Sequence, residues 1–312
     1  MKYLFGPVPS RRLGLSLGVD ILPAKTCNMN CVYCEIGPGK KTYSQAPSSP
    51  EPREILKEIK EFSATSKRRF DCLTFTASGE PTLHRDLALL IKEGKRITGK
   101  PVTVLTNSST VSRKDIRETL CLADVVLPSL DAATPETFRK INRPHPDIKI
   151  TSIIEGLSRL RKEMDGQMWL EILFVNGIND TEKELLALRE ATGIIAPHRI
   201  QLNTVVRPPA EKWAKPVTKK RMEEIRSFFG EKAEIVIDFN AQVESGCQLI
   251  LESEILDTLR RRPLTLQDIN GLFGRYEQIK KILLRLLKEG DIEERRVQGR
   301  VFYAVPNPLI HH

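Results

Sequence analysis

Between residues 18 and 240, short β-rich apolar runs alternate with segments of helical period, and that alternation leaves the chain few architectures. The strand-like runs are GVDIL (18–22), DCLTFTA (71–77), VTVLT (102–106), DVVLPSL (124–130), MWLEILFV (168–175), RIQLNTV (199–205) and EIVIDF (234–239). Amphipathic stretches at 52–62, 85–97, 112–123, 151–164, 182–192 and 218–229 lie between them. Strands separated by helices make βαβ units, which build parallel sheets through right-handed crossovers. Six or seven such units predict an α/β fold, a partial (β/α) TIM-like barrel. In a parallel barrel the chemistry sits at the C-terminal ends of the strands, so the residues just past each run are the candidates.

The alternation stops near Cys247. Beyond it, three helical segments (253–261, 265–274 and 276–290) precede two strand-like runs that turn at Gln298 and Gly299. Thr265 is a plausible N-cap and Gly290 a C-terminal stop. Three helices and a β-hairpin predict a winged helix, which divides the chain into a barrel domain, 1–247, and a small domain, 248–312. A chain of 312 residues is long enough for both.

No apolar run approaches the roughly 20 residues that cross a bilayer, and MKYLFGPVPSRRLG has no signal-peptide pattern. The expected location is the cytoplasm, where thiols stay reduced. Six cysteines, half of them clustered, then point to metal or catalysis rather than a disulfide framework. The formal charge is +9, of which +2 falls in residues 248–312 and the rest in the barrel. That surplus is compatible with RNA, DNA or a phosphorylated substrate, and equally with a solvated surface.

The cluster is KTCNMNCVYCEIG, which places Cys27, Cys31 and Cys34 in a C-x3-C-x2-C array directly after the first predicted strand. Three thiolates that close can hold three corners of an iron-sulfur cubane and leave the fourth iron open to a ligand. A four-coordinate zinc site is the alternative. It needs a fourth ligand, for which only His84 and Cys72 offer themselves, neither in a ligand-like context.

This array, with the aromatic Tyr33 before its last cysteine, resembles the signature of the radical S-adenosylmethionine (SAM) superfamily over about residues 14–240. The resemblance implies a 4Fe-4S cluster on Cys27, Cys31 and Cys34, reductive cleavage of SAM to a 5′-deoxyadenosyl radical, and a reductant such as ferredoxin or flavodoxin. It also implies a SAM site. Tyr33 would lie near the adenine. Ser78, Gly79 and Glu80 stand where the family has a Gly-Gly-Glu-like motif for the SAM ammonium, with serine replacing the first glycine. Ser129 and Asp131 in LPSLDA match a Ser-x-Asp pair that faces the ribose; for Asp131 a cap ahead of TPETF is the competing reading. Longer fragments, FGPVPSRRLG and LPSLDAATPETFRKINRPH among them, resemble a group of Fe-S oxidoreductases whose understood relatives include the radical SAM enzymes that build wyosine on tRNA.

Asn107, Glu171 and Asn203 sit at or near strand ends, as cofactor contacts or as structural hydrogen-bonders. Arg11, Arg12, Arg143, His145 and Arg207 lie in proline-stiffened loops, where guanidinium groups can grip phosphate or carboxylate, or tie loops to the barrel. Cys72 and Cys121 read as small buried hydrophobes and Cys247 as a linker residue. The expected activity is that of a radical SAM enzyme on a macromolecule, RNA or a peptide, recruited by the winged helix. A DNA-binding redox regulator that uses the cluster as a sensor is the alternative, and a near-neutral small domain is a poor footprint for DNA.

Overall fold

The computed structural model describes residues 1–10, 13–39, 42–43, 46, 48–66, 68–236, 252–273 and 276–306. Eight strands form one sheet in chain order: β1 (Leu4–Ser10), β2 (Gly14–Asp20), β3 (Cys72–Thr76), β4 (Val102–Thr106), β5 (Val125–Pro128), β6 (Gln167–Phe174), β7 (Arg199–Thr204) and β8 (Ala233–Ile235). β1 is antiparallel to β2, and every later neighbour is parallel. The helices of the crossovers are α1 (Pro52–Thr65), α2 (Leu87–Thr98), α3 (Lys114–Leu120), α4 (Pro135–Ile141), α5 (Ile150–Glu163), α6 (Glu182–Ile195) and α7 (Lys219–Phe229). No pairing joins β8 to β1 among the described residues, so the sheet is an open, partial barrel.

Strand and helix faces bury the expected residues: Leu17, Val19, Leu73, Phe75, Val104, Leu170 and Ile172 from the sheet, and Ile55, Ile59, Leu90 and Ile91 from α1 and α2. Thr134, Thr181 and Thr218 cap α4, α6 and α7 by accepting the N–H three residues on. The cap ahead of TPETF is therefore Thr134; Asp131 has other partners. β1 was not expected, because Pro7 and Pro9 lack the N–H a central strand donates; it pairs on one side only, where proline is tolerated. The strand predicted at 18–22 begins earlier, at Gly14, and of the run at 234–239 the described part ends in β8.

After the barrel come α8 (Glu252–Arg261), β9 (Leu264–Thr265), α9 (Leu266–Phe273), α10 (Tyr276–Glu289), β10 (Glu293–Val297) and β11 (Arg300–Ala304). A three-stranded antiparallel sheet ordered β10-β11-β9 covers a separate apolar core that includes Ile255, Leu259, Ile269, Ile279, Leu283 and Leu286. The Thr265 hydroxyl accepts from the Asp268 N–H while the Asp268 carboxylate accepts from Thr265, a reciprocal cap. Gln298 and Gly299 both have positive φ, 49° and 73°, as a two-residue hairpin turn requires. This unit packs on the barrel through α8 and α9 against β1. Arg261 anchors the contact: it donates to the Lys2 carbonyl, lies over the Phe5 ring and faces Asp20 at 3.5 Å.

Candidate functional site

The parallel register sets Asp20 beside Thr76, so the loops leaving β2 and β3 emerge side by side at the C-terminal end of the sheet. The β2 loop carries the three cysteines and has no regular structure of its own. It is held by its neighbours. Lys25 N–H donates to the Ser78 carbonyl, Glu80 N–H to Thr26, Val32 N–H to Ile141, and Asn30 N–H to Asn142, each at 2.5–3.0 Å. Gly79 is needed for this lacing: a Cβ there would lie 2.5 Å from the carbonyl carbon of Thr26. Lys25 adopts a left-handed conformation, φ 63°, which costs a non-glycine residue about 1 kcal/mol and is sustained by the contacts around it.

Every cysteine sulfur of the array receives an N–H donor. Cys27 accepts from Met29 N at 3.4 Å and Asn107 Nδ2 at 3.3 Å, Cys31 from Asn142 Nδ2 at 3.4 Å, and Cys34 from Lys25 Nζ at 3.2 Å. Donors without acceptors suit anionic sulfur. Burial pushes the Cys27 thiol up to about 12, and it pushes Cys31 up as well, where the negative charges of Asp131 and Cys27 add to the effect. Free thiols at Cys27 and Cys31 would therefore stay protonated at neutral pH. Metal cations supply the compensation that the buried site lacks, displacing the protons as they bind.

The residues fit a cluster better than a single ion. Among the described residues no three His, Cys, Asp or Glu side chains converge as one ion demands. Of the two possible fourth zinc ligands, His84 has both ring nitrogens engaged, with Pro50 O and Asp86 N, and Cys72 is buried beside Thr74. A cubane takes its thiolates at separate corners, and its sulfur ligands are commonly stabilised by donors of the kind seen here. One consequence is testable. Lys25→Met removes the ammonium next to Cys34, so the cluster should remain while its reduction potential becomes more negative, read by a redox titration followed by EPR; an unmoved potential would mean that Lys25 does not act on the sulfur.

The SAM residues expected from sequence surround this loop, with partners that sequence did not reveal. Glu80 is buried and its Oε1 accepts from Thr82 N, Thr82 Oγ1 and Thr106 Oγ1, while among the described residues Oε2 accepts from Asn107 N alone, at 2.6 Å. Burial raises its carboxyl above the usual range, and those hydrogen bonds oppose the rise. Ser78 turns to the side: its N–H and hydroxyl both donate to Asp20, at 2.8 and 2.6 Å. Asn107 spends its amide on Cys27 and on Asn28 Oδ1.

Tyr33 and Asp131, expected at the adenine and the ribose, meet each other. The phenol donates to Asp131 Oδ2 at 2.5 Å, which also accepts from Asn142 Nδ2 at 2.7 Å, while Oδ1 accepts Leu173 N–H at 3.0 Å. Burial lifts Asp131 to about 6 against these three donors. Ser129 offers its carbonyl to Ser108 Oγ and bridges to Glu171 through the backbone. Asn107, Ser129, Asp131 and Asn142 line one small cavity with Met29.

Other expected residues fall into two groups. Arg143 and Arg207 tie loops: Arg143 to Glu211 and Arg207 to Glu35, beside the third cysteine. His145 N–H donates to Asn28 O, and its ring faces Asp147; Asn203 accepts from Thr204 N–H. Cys121 is half-buried rather than fully enclosed. Arg11, Arg12 and Cys247 lie outside the described residues. Sequence reasoning missed Asp20, Lys25 and Asn142. Lys25 had a signal in its position two residues ahead of Cys27, whereas Asn142 reaches Cys31 only through the fold.

A family model described as the radical SAM superfamily matches residues 21–188, from the foot of the cysteine loop into α6. The chain is 31% identical over 309 residues to a UPF0026 protein of Methanocaldococcus jannaschii, covering 97% of this chain and 96% of that one. It is 36% identical over 308 residues to a protein of Brachyspira hyodysenteriae named GTPase Obg, spanning 97% of this chain and 45% of that protein's length. A crystal structure of a radical SAM methyltransferase from Sphaerobacter thermophilus superposes with a TM-score of 0.52 at 14% identity, covering 70% of this chain and 66% of the other, a likeness of fold alone. With the three-cysteine loop at the mouth of a partial barrel and a superfamily match over more than half its length, the chain belongs to the radical SAM superfamily, among the UPF0026 proteins.

Proposed function

We propose that Cys27, Cys31 and Cys34 hold the 4Fe-4S cluster and that Glu80, Gly79, Ser129 and Asp131 form the SAM site, in an enzyme that modifies a macromolecule, RNA or a peptide. Radical SAM enzymes bind this cluster and SAM, and together these supply reductive cleavage of the sulfonium bond to methionine and a 5′-deoxyadenosyl radical. The observation that carries the residue assignment is the donor set: three half-buried cysteines whose sulfurs each face an N–H donor.

The chain's own residues have separable tasks. Lys25, Asn107 and Asn142 stabilise negative charge on sulfur. Glu80 presents one carboxylate oxygen with spare accepting capacity, suited to an ammonium at the strand end. Asp131 is held by Tyr33, Asn142 and Leu173, so a ribose would compete with Tyr33 for Oδ2. The barrel wall excludes water from the side, with Leu17, Val19, Phe75 and Val104 fully buried. The unit after the barrel is assigned as a winged helix that recruits substrate, on the support of its three helices and antiparallel sheet. The regulator reading has less support: of the bases on α10, Arg285 is ion-paired with Glu252.

Anaerobically reconstituted protein, given SAM and a strong reductant, should release 5′-deoxyadenosine. Glu80→Gln should keep the cluster and weaken SAM binding by about 1.5–3 kcal/mol, the usual worth of a hydrogen bond to a charged group. Unchanged SAM affinity in that variant would move the ammonium contact elsewhere, and absence of the nucleoside from the unaltered enzyme would overturn the functional reading.

A further inference from the structure

The loop after β3 that carries Ser78, Gly79 and Glu80 is fixed at its first residue by one side chain. Asp20, the last residue of β2, accepts the Ser78 N–H on Oδ1 at 2.8 Å and the Ser78 hydroxyl on Oδ2 at 2.6 Å. Ser78 in turn offers its carbonyl to Lys25 N–H, and Glu80 N–H donates to the Thr26 carbonyl, so the same short segment meets the start of the cysteine loop. Asp20 is the carboxylate on which that meeting is seated. Ser78 stands where the family has a glycine, and the second of its two bonds to Asp20 is one that glycine could not make.

Asp20 is faced by a guanidinium from the C-terminal unit. Arg261 Nε lies 3.5 Å from Asp20 Oδ2, and each side chain keeps only 12% of its surface exposed. That distance exceeds an ordinary N–H···O bond, so the two are joined by attraction between charges where water screens little. The guanidinium is itself held: its Nη atoms donate to the Asp257 and Lys2 carbonyls at 2.8 and 2.9 Å, and it lies over the Phe5 ring, 5.3 Å from the centroid. A poorly hydrated carboxylate needs a compensating cation, and an ionised acceptor makes the stronger bonds to its donors. Arg261 meets that need from a separately cored unit.

We propose that Arg261 is a positioning residue for SAM binding: it holds Asp20, Asp20 orients Ser78, and Ser78 sets Gly79 and Glu80 against the cysteine loop. The C-terminal unit thereby completes the SAM motif from outside the barrel, in addition to packing on β1. This deepens the reading of the Glu80 loop as the site of the SAM ammonium and rests on it. A residue that only anchored the unit would need no more than its contacts to Lys2 and Phe5; the approach to Asp20 carries the effect to the strand end where the motif begins.

Two measurements on the full-length, anaerobically reconstituted protein separate positioning from anchoring. In Arg261→Gln and in Asp20→Asn, amide hydrogen exchange at residues 78–80 should quicken, with iron content retained. SAM, followed by equilibrium dialysis, should bind about fivefold to tenfold more weakly in each variant, and no more weakly in the double variant, because both changes break one contact. Asp20→Asn leaves Arg261 its bonds to Lys2 and Asp257, so it gives the same reading where Arg261→Gln loosens the C-terminal unit. Arg260→Gln, an exposed neighbour paired with Asp257, should change neither exchange nor affinity. Unaltered exchange at 78–80 in both variants, unaltered SAM affinity, or losses that add in the double variant would leave Arg261 an anchor and overturn the proposal. Because exchange is read without SAM, failure of the unaltered protein to bind SAM would count against the proposed function, and exchange would still decide whether Arg261 positions the loop.

Discussion

Gly79→Ala should strip the protein of most of its iron without altering any iron ligand. The reason is a backbone collision. The Cβ of an alanine would lie 2.5 Å from the Thr26 carbonyl carbon, where carbon atoms normally stay about 3.5–4.0 Å apart. Neither partner is the end of a flexible side chain, so the loop itself must retreat by about 1 Å. Thr26 precedes Cys27, and its carbonyl is also the acceptor for Glu80 N–H, so the retreat breaks the lacing that places the first cysteine and the carboxylate together. The barrel should survive, since its buried strand residues such as Leu73 and Phe75 lie away from the contact. Iron per chain and 5′-deoxyadenosine release should both fall severalfold, with the circular dichroism of the helices retained. A useful comparison is Gly99→Ala at the end of α2. Its φ is 62° but nothing surrounds its Cβ, so that change should cost about 1 kcal/mol of stability and no iron. Full iron content in Gly79→Ala would show that the loop tolerates the shift.

The barrel was legible because its strands are apolar runs and its helices have one apolar face, and both periods survive in sequence. β1 was not, because prolines suppress the strand signal and pairing on one edge leaves no second pattern to detect. α4, seven residues long, gave only its cap region, and the residue singled out there, Asp131, points inward while Thr134 does the capping. The cysteine triad was fully legible, being defined by spacing within eight residues. Its donors were not: Asn107 and Asn142 are 80 and 111 residues away from the sulfurs they reach, and asparagine is common enough at strand and helix ends to carry no signal alone. Ser78 shows the same limit from the other side. It stands where the family has a glycine, and no local pattern announces that its hydroxyl holds Asp20, which also faces Arg261 of the C-terminal unit.

Cys31→Ala is expected to remove the cluster and with it all cleavage of SAM. Cys31 is the middle cysteine of the array, and its sulfur lies under the influence of the negative charge of Asp131 and of both other thiols. With the cluster bound, that negative potential would be answered by iron, and Asn142 donates to the sulfur at 3.4 Å. Without the Cys31 thiolate, one corner loses its ligand: neighbouring Asn142, Tyr33 and Asp131 are poor replacements, and Asp131 is already committed to Tyr33, Asn142 and Leu173. Two thiolates do not hold a cubane against loss of iron. Iron should fall from about four per chain to near zero, the visible absorption of the cluster should vanish, and 5′-deoxyadenosine should drop below detection. Cys121→Ala controls for general thiol loss, because Cys121 lies just past α3, outside the cysteine loop, and should keep both iron and cleavage. The pairing of the two results matters more than either. Iron lost in Cys31→Ala and kept in Cys121→Ala places the cluster on the loop after β2. Persistent cleavage in Cys31→Ala would instead put the reducing centre somewhere other than this triad.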